Sequence, residues 1–249
     1  MDKEYFRPKT VSEADYLFSS GEKRCIPLGG GTVLSRSKLE GVCLVDLRDL
    51  GLDRLDLTGQ KLSIGATVTL QQLIESDSIP PQLKDVVRRT ASLNVRNQAT
   101  IGGYIVSAGG RSPLAIALMA MDALLVWHPT EEKQSIGDWF TLRQPAGYWI
   151  NSVQINLNAN LSYQQVARTP MDQPLIAVAI CRWKSGRIRV AVGGFGTAPL
   201  LAVDGPMEQG ILEAVDNALC SSGDDWATAE YRREAGVVLA RRILSETER

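Results

Sequence analysis

The sequence predicts an α+β fold in two parts, divided near residue 158, and three observations carry that expectation. The first third alternates short strands with helices, and the middle joins a run of small residues to one apolar helix and a strand. The last third changes character, with four strand-like runs in succession and two closing helices. At the division the chain is polar and loop-like, with Asn156, Asn158 and Asn160. Strands gathered together and then covered by helices make a layered α+β arrangement.

Thr10 to Ser20 reads as a helix, with Thr10 or Ser12 as N-cap and Ala14, Leu17 and Phe18 on its apolar face. Cys25 to Leu28 is a short buried strand that runs into three glycines, and Cys43 to Leu47 is a second strand. Lys61 to Ala66 alternates with period two, as a half-buried strand does. Leu70 to Ser76 and Pro81 to Ala91 read as helices. Thr100 to Gly103 begins a small-residue loop that reaches Gly110. Ser112 then caps a helix with Pro113 at its first position, where the missing N–H costs nothing; that helix reaches about Met121. Asp122 to Trp127 is a strand. Val153 to Leu157, Tyr163 to Ala167, Ile176 to Trp183 and Ile188 to Gly194 are strands, the last two joined by a hairpin turn at Ser185-Gly186. Helices from Pro206 to Leu219 and from about Trp226 to Glu246 end the chain.

A chain of 249 residues is long enough for one large domain or two modest ones. Its formal net charge of −1 gives no electrostatic reason to expect nucleic acid or an anionic membrane as partner. The four cysteines, Cys25, Cys43, Cys181 and Cys220, make no C-x-x-C pair, and His128 is the one histidine. A zinc site or a protein-ligated iron–sulfur cluster on this chain is therefore not expected. Met1 to Tyr5 lacks the basic-then-apolar pattern of a secretory signal, and no apolar run approaches the roughly 18 residues of a membrane span. The expected location is the cytoplasm.

Two glycine loops carry the functional signal. The first is Leu28-Gly29-Gly30-Gly31-Thr32-Val33-Leu34, where successive N–H groups without Cβ obstruction can form a nest for a pyrophosphate, with Thr32 adding a hydroxyl. It is neither a G-x-G-x-x-G fingerprint nor a lysine-bearing phosphate loop. The second is Asn97-Gln98-Ala99-Thr100-Ile101-Gly102-Gly103-Tyr104, continued by Ser107-Ala108-Gly109-Gly110-Arg111-Ser112 up to a helix N-terminus that favours an anion. A flexible turn accounts for either loop by itself. Together they can grip one dinucleotide from two sides of a cleft. No nucleophile–base pair and no carboxylate dyad stands out, so no catalytic residue is named.

The pairing of Pro27-Leu28-Gly29-Gly30-Gly31-Thr32 with Val95-Arg96-Asn97-Gln98-Ala99-Thr100-Ile101-Gly102-Gly103 resembles the FAD-binding medium subunits of molybdenum hydroxylases, such as those of carbon monoxide dehydrogenase and the flavin domain of xanthine dehydrogenase. Leu62 to Leu70, Gly186 to Gly194 and Ala227 to Arg233 extend the likeness over nearly the whole chain. The resemblance implies a two-subdomain FAD-binding domain of the vanillyl-alcohol-oxidase (PCMH) type over 1–157, with subdomains of about 1–58 and 59–157, and a small α+β domain with an antiparallel sheet over 158–249. It implies FAD held by Leu28, Gly29, Gly30, Gly31, Thr32, Val33 and Leu34 on one wall and by Thr100, Ile101, Gly102 and Gly103 on the other. It also implies a hetero-oligomer with a [2Fe–2S] small subunit and a molybdopterin large subunit, the FAD relaying electrons from the clusters to an external acceptor.

The sequence departs from the family pattern at Val33, where an acidic residue is common, and at Tyr104, Pro113 and Gln164. Tyr104 is a candidate to stack on the cofactor or to pack as a core aromatic, and Arg111 to meet a phosphate or to stay solvated. The departures at Val33, Tyr104 and Pro113 favour one other reading, a scaffold subunit of this fold without FAD; a second is a stand-alone flavin oxidoreductase with its own substrate site. The pairs Arg88-Arg89, Arg232-Arg233 and Arg241-Arg242 read as solvated helix faces or as docking points for an acidic partner.

Overall fold

The computed structural model describes residues 4–21, 23–36, 38, 40–206 and 209–246. Its strands form three sheets. The first is parallel and holds β1 (Glu4–Phe6), β2 (Arg24–Leu28) and β3 (Val42–Asp46) in the order β1-β3-β2. Helix α1 (Val11–Ser19) crosses from β1 to β2, capped by Thr10, whose hydroxyl accepts from the Glu13 N–H at 3.2 Å. Its expected apolar face packs as read: Ala14, Leu17 and Phe18 cluster with Cys43, Val45, Leu47 and Trp149.

The second sheet is antiparallel: β4 (Leu55–Thr58), β5 (Lys61–Gly65), β6 (Leu124–His128), β7 (Lys133–Ser135) and β8 (Trp149–Asn156), in the order β4-β5-β8-β6-β7. Six helices are inserted along it: α2 (Leu70–Glu75), α3 (Pro81–Thr90), α4 (Leu93–Arg96), α5 (Ile101–Ser107), α6 (Pro113–Ala120) and α7 (Ile136–Leu142). The third sheet is antiparallel too, with β9 (Ala159–Val166), β10 (Ile176–Trp183), β11 (Ile188–Gly193) and β12 (Leu200–Gly205) in the order β12-β11-β10-β9. Helices α8 (Ile211–Ala218) and α9 (Ala229–Glu246) cover one face of it through Ile211, Val215, Leu239 and Ile243.

Helix α6 ties the second and third sheets into one core. Ser112 caps it, accepting from the Ala115 N–H at 3.1 Å, and all eight residues from Pro113 to Ala120 are buried. An all-apolar helix must be covered on every side. Here α3 lies along one flank, while Ala177, Ala179 and Ala191 of β10 and β11 join the cluster that contains it.

Several elements differ from the sequence reading. Strands β1, β4, β7 and β12 were not expected: they are edge strands without a fully buried residue, so no buried face imprints a period on them. Strand β8 begins at Trp149, four residues before the expected Val153. Helices α4, α5 and α7 were also unexpected. The stretch read as a loop after Thr100 is helix α5, with Gly102 and Gly103 in its first turn. Glycine weakens a helix by about 1 kcal/mol, but tertiary packing overrides that here: a Cβ on Gly102 would meet the Ala66 side chain at 2.9 Å. At the C-terminal end α8 starts at Ile211 rather than Pro206, Met207 and Glu208 lying outside the described residues. Helix α9 starts at Ala229, because Asp224 turns the preceding chain by accepting from the N–H groups of Trp226 and Ala227.

Candidate functional site

Strand β2 ends at Leu28, whose carbonyl accepts from the Leu47 N–H at 3.0 Å. The chain then turns through Gly29, Gly30 and Gly31 into a single 3₁₀ turn at Leu34–Arg36, with Gly31 at φ +69°. Glycine adopts that backbone conformation at no steric cost. The carbonyl of Gly31 accepts from the Ser35 N–H, while the N–H groups of Gly30, Gly31 and Thr32 meet no acceptor among the described residues. Three unpaired amides in a tight turn are the donors an anion needs.

The second loop lies directly against the first. A Cβ on Gly30 would sit 1.6 Å from the Gln98 carbonyl oxygen, and one on Gly29 would sit 2.4 Å from Thr100 Oγ1. No side chain fits at either position, so the contact specifies glycine. The amides of the second loop are not bare, contrary to expectation. Ile101 N–H donates to Val68 at 2.9 Å, Gly102 N–H to Ala66 at 3.0 Å, and Gly103 N–H to the capping Thr100 hydroxyl at 3.3 Å. Backbone and cap bonds place this wall, and the unpaired amides are those of the first loop.

Between the loops runs a cavity of about 500 Å³. Gly29, Gly30, Gly31, Thr32, Val33 and Leu34 line one side, and Thr100, Gly102 and Gly103 the other, followed by Val106 and Ser107 along α5. Ala66, Thr67, Trp127, Trp139, Tyr148 and Trp149 close it. The aromatic wall is held by stacking: Phe18 lies on Tyr148 at 5.4 Å and 12°, and His128 on Trp149 at 4.2 Å and 15°. His128 Nε2 is 2.7 Å from Asp15 Oδ1, which accounts for the chain's one histidine in a supporting role. Two buried polar atoms on lining residues, Thr67 Oγ1 and Trp149 Nε1, have no hydrogen-bond partner. Such groups are rare because each costs about 1–3 kcal/mol when left unpaired; Gln154 Oε1 and Arg189 Nε, away from the cavity, are unpaired too. Glycines that leave no room for a Cβ, free amides and an aromatic wall together suit a dinucleotide with a planar ring.

Four residues expected here are elsewhere. Leu28 and Ile101 do not line the cavity; Ile101 is buried in the main core. Tyr104 packs against that core, its hydroxyl 2.6 Å from Ser112 Oγ, and burial pushes its phenol up to about 12. Helical geometry turns it away, since Gly103 and Val106 take the cavity side of α5. Arg111 donates from Nε to the Pro174 carbonyl at 3.2 Å and stacks 4.4 Å from the Trp226 ring centre, on the far side of α6. Gly110 belongs there too: its N–H donates to Gly196 and its carbonyl accepts from Gly194, so this half of the small-residue run joins the third sheet.

The sequence reading missed the cation at the cavity, Arg24 on β2, and the whole aromatic wall. Nothing in their local sequence marks these residues; they converge only after β6 and β8 pair. Among the described residues no group of three or more His, Cys, Asp or Glu is placed to hold a metal, and no helix is long and apolar enough to cross a membrane. Of the arginine pairs, exposed Arg88 and half-buried Arg233 are bonded to Asp85 and Asp216, whereas Arg232 is fully buried.

The fold and cavity define a dinucleotide-holding module in which two glycine loops meet beside an antiparallel sheet. The chain belongs to the family described as FAD binding domain in molybdopterin dehydrogenase, whose profile matches residues 1–166. It is similar to protein YgfM of Escherichia coli (strain K12), 29% identical, with 96% of this chain and 95% of that protein covered. It is also similar to the carbon monoxide dehydrogenase medium chain of Afipia carboxidovorans, 24% identical over 96% of this chain and 95% of that one. Among solved structures, quinoline 2-oxidoreductase from Pseudomonas putida 86 superposes with a TM-score of 0.82 at 20% identity, covering 99% of this chain and 96% of that chain. The α+β fold and the family expected from the glycine motifs are thus met, and FAD is the cofactor that the family's description names.

Proposed function

We propose that the chain is the FAD-binding subunit of a molybdenum hydroxylase and passes electrons from a partner's [2Fe–2S] clusters to an external acceptor. The observation that carries this is the contact of Gly29 and Gly30 with Thr100 and Gln98 beside three unpaired amides. Bound FAD supplies the redox chemistry, collecting electrons singly and releasing them singly or in pairs. The residues of this chain do the rest. The amides of Gly30, Gly31 and Thr32 hold the diphosphate, with Arg24 offsetting part of its charge. Thr67 and Trp149 orient polar atoms of the cofactor. Trp127, Trp139 and Tyr148 exclude water and supply flat contact area.

The domain division of this reading is 1–157 for the cofactor domain and 158–249 for the smaller α+β domain; the change from the second to the third sheet between Asn156 and Ala159 supports it. The assembly is a hetero-oligomer with an iron–sulfur small subunit and a molybdopterin large subunit. The medium-chain name of the carbon monoxide dehydrogenase relative supports that part.

A specific observation favours one other reading, a scaffold subunit without flavin: the amides of Ile101 and Gly102 are already paired within the protein. The visible spectrum of the purified chain decides between them. Bands near about 370 and 450 nm that persist through gel filtration are the expected outcome. A colourless protein that takes up no added FAD removes the flavin reading. Co-purification with an iron–sulfur chain tests the relay.

A further inference from the structure

Cys25 and Cys43 stand directly opposite one another on β2 and β3. Both side chains lie on the face that α1 covers, in one cluster with Ala14 and Leu17. Cys25 is half-buried, forms part of the cavity lining and donates its S–H to the Leu17 carbonyl at 3.2 Å. Cys43 is buried behind it, and both are free thiols. Cys181 is far off in the third sheet and Cys220 follows α8.

We propose that Cys25 and Cys43 form a reversible dithiol–disulfide couple in the wall of the cavity, with a peroxide as the two-electron oxidant. In-register neighbours on adjacent strands lie about 4.8 Å apart, inside the roughly 4.4–6.8 Å between Cα atoms that a disulfide bridges. The Cβ atoms of such a pair stand farther apart than the roughly 3.8 Å a relaxed disulfide prefers, so the bond draws the strands together. Strained disulfides have more oxidising potentials and are readily reduced, which makes the couple reversible.

The two cysteines differ in role. Cys25 meets the cavity and reacts first: its sulfur attacks one peroxide oxygen, the O–O bond breaks, and the departing oxygen leaves as water with the thiol proton. The product is a sulfenic acid on Cys25. The Cys43 sulfur then attacks the Cys25 sulfur, the S–O bond breaks, and the hydroxyl leaves as water with the Cys43 proton. Two thiols and hydrogen peroxide thus become one disulfide and two waters; the sulfurs give up two electrons and the peroxide takes them. Burial, together with its contact to Cys25, pushes the Cys43 thiol up to about 12, which makes it the poorer first nucleophile.

The test treats the full chain with hydrogen peroxide, quenches with iodoacetamide and maps the peptides by mass spectrometry. A Cys25–Cys43 linked peptide that dithiothreitol removes is expected, with Cys181 and Cys220 alkylated. Recovery of Cys25 and Cys43 as separate alkylated peptides overturns the proposal, as does Cys25 over-oxidised and unlinked. In Cys43→Ala the second step is blocked, so Cys25 should form a dimedone adduct; no adduct also overturns it. A further arm rests on the FAD reading: added FAD should slow linkage several-fold by covering Cys25. Binding is followed separately by the visible spectrum. Bound FAD with no protection contradicts a cavity-facing Cys25, whereas failure to bind counts against the FAD reading and leaves the linkage result standing.

Discussion

Gly30 meets the Gln98 carbonyl so closely that a Cβ would lie 1.6 Å from its oxygen. Two segments far apart in sequence are thereby fixed backbone to backbone, with no side chain to absorb a change. Gly30→Ala must push the loops apart. We expect FAD affinity to fall by about tenfold or more, roughly 1.4 kcal/mol. Gly205→Ala is the control, since nothing lies within 4 Å of its Cβ position. Fluorescence titration with FAD measures both, and equal affinities would contradict the role given to the contact.

Thr67 and Trp149 each keep an unpaired polar atom on a cavity-lining residue. Replacing an unpaired buried hydroxyl by a methyl removes a desolvation penalty from the ligand-free protein. Thr67→Val should therefore leave the urea midpoint unchanged or raise it, while FAD affinity falls by about 0.5–1.5 kcal/mol. A variant that loses stability and keeps its affinity would assign Thr67 to the fold instead.

Arg24 lines the cavity and Arg111 does not. Arg111 stacks on Trp226 and donates to the carbonyls of Pro174 and Gln173, and its burial lowers its pKa from the usual value. Arg111→Ala should leave FAD affinity unchanged and lower thermal stability. Arg24→Ala should weaken FAD binding, with the loss shrinking as salt screens the charge. Titrations at low and high salt check both, and a loss confined to Arg111→Ala would reverse the assignment.

The parts legible in the sequence were those with local causes. The caps at Thr10 and Ser112 and the hairpin at Gly186 need only neighbouring residues, and each is found where it was read. The first glycine loop was legible for the same reason, since consecutive glycines announce a turn wherever they occur. What escaped has long-range causes. Helix α5 looked like a loop because Gly102 and Gly103 oppose helix locally, and it exists because Ala66 and Val68 pair with its first amides. The same bonds occupy the amides that the motif offers to a phosphate. Tyr104 lay beside the motif in sequence, yet one step round a helix carried it to the opposite face. The aromatic wall is drawn from α7, β6 and the start of β8, whose pairing no single segment encodes.

Acid should unfold the protein over a defined window. The Arg7 and Lys9 side chains hold Asp49 at about 2, Arg187 holds Asp204 below the ordinary 3.8, and Arg233 does the same for Asp216. A carboxylate depressed in the folded state binds protons more readily once unfolded, so its contribution is present above about pH 4 and is lost as pH falls toward about 2. Urea midpoints should be flat from about pH 6 to 5 and fall below about pH 4, less steeply in Asp204→Asn. The exposed pairs among these are individually weak, so the drop should shrink in high salt. A midpoint that stays level down to about pH 2 would deny these pairs any part in stability.

Arg232 is the largest fully buried side chain, and its surroundings explain why. Its guanidinium donates to Asp224 at 2.7 Å and to the carbonyls of Leu175, Ser222, Ala227 and Gly194, and it lies 5.6 Å from the Phe195 ring. One planar fork thus gathers the turn before α9, the start of β10 and the loop after β11. Arg232→Ala removes the charged partner of Asp224 and leaves several carbonyls without donors, each costing about 1–3 kcal/mol where it stays buried and unpaired. Arg232→Lys keeps the charge, yet an ammonium cannot reach five acceptors spread around a plane. It should recover only part of the loss. Urea denaturation of the three proteins measures this directly. A lysine variant as stable as the parent would mean that charge alone, and not the fork, holds these segments together.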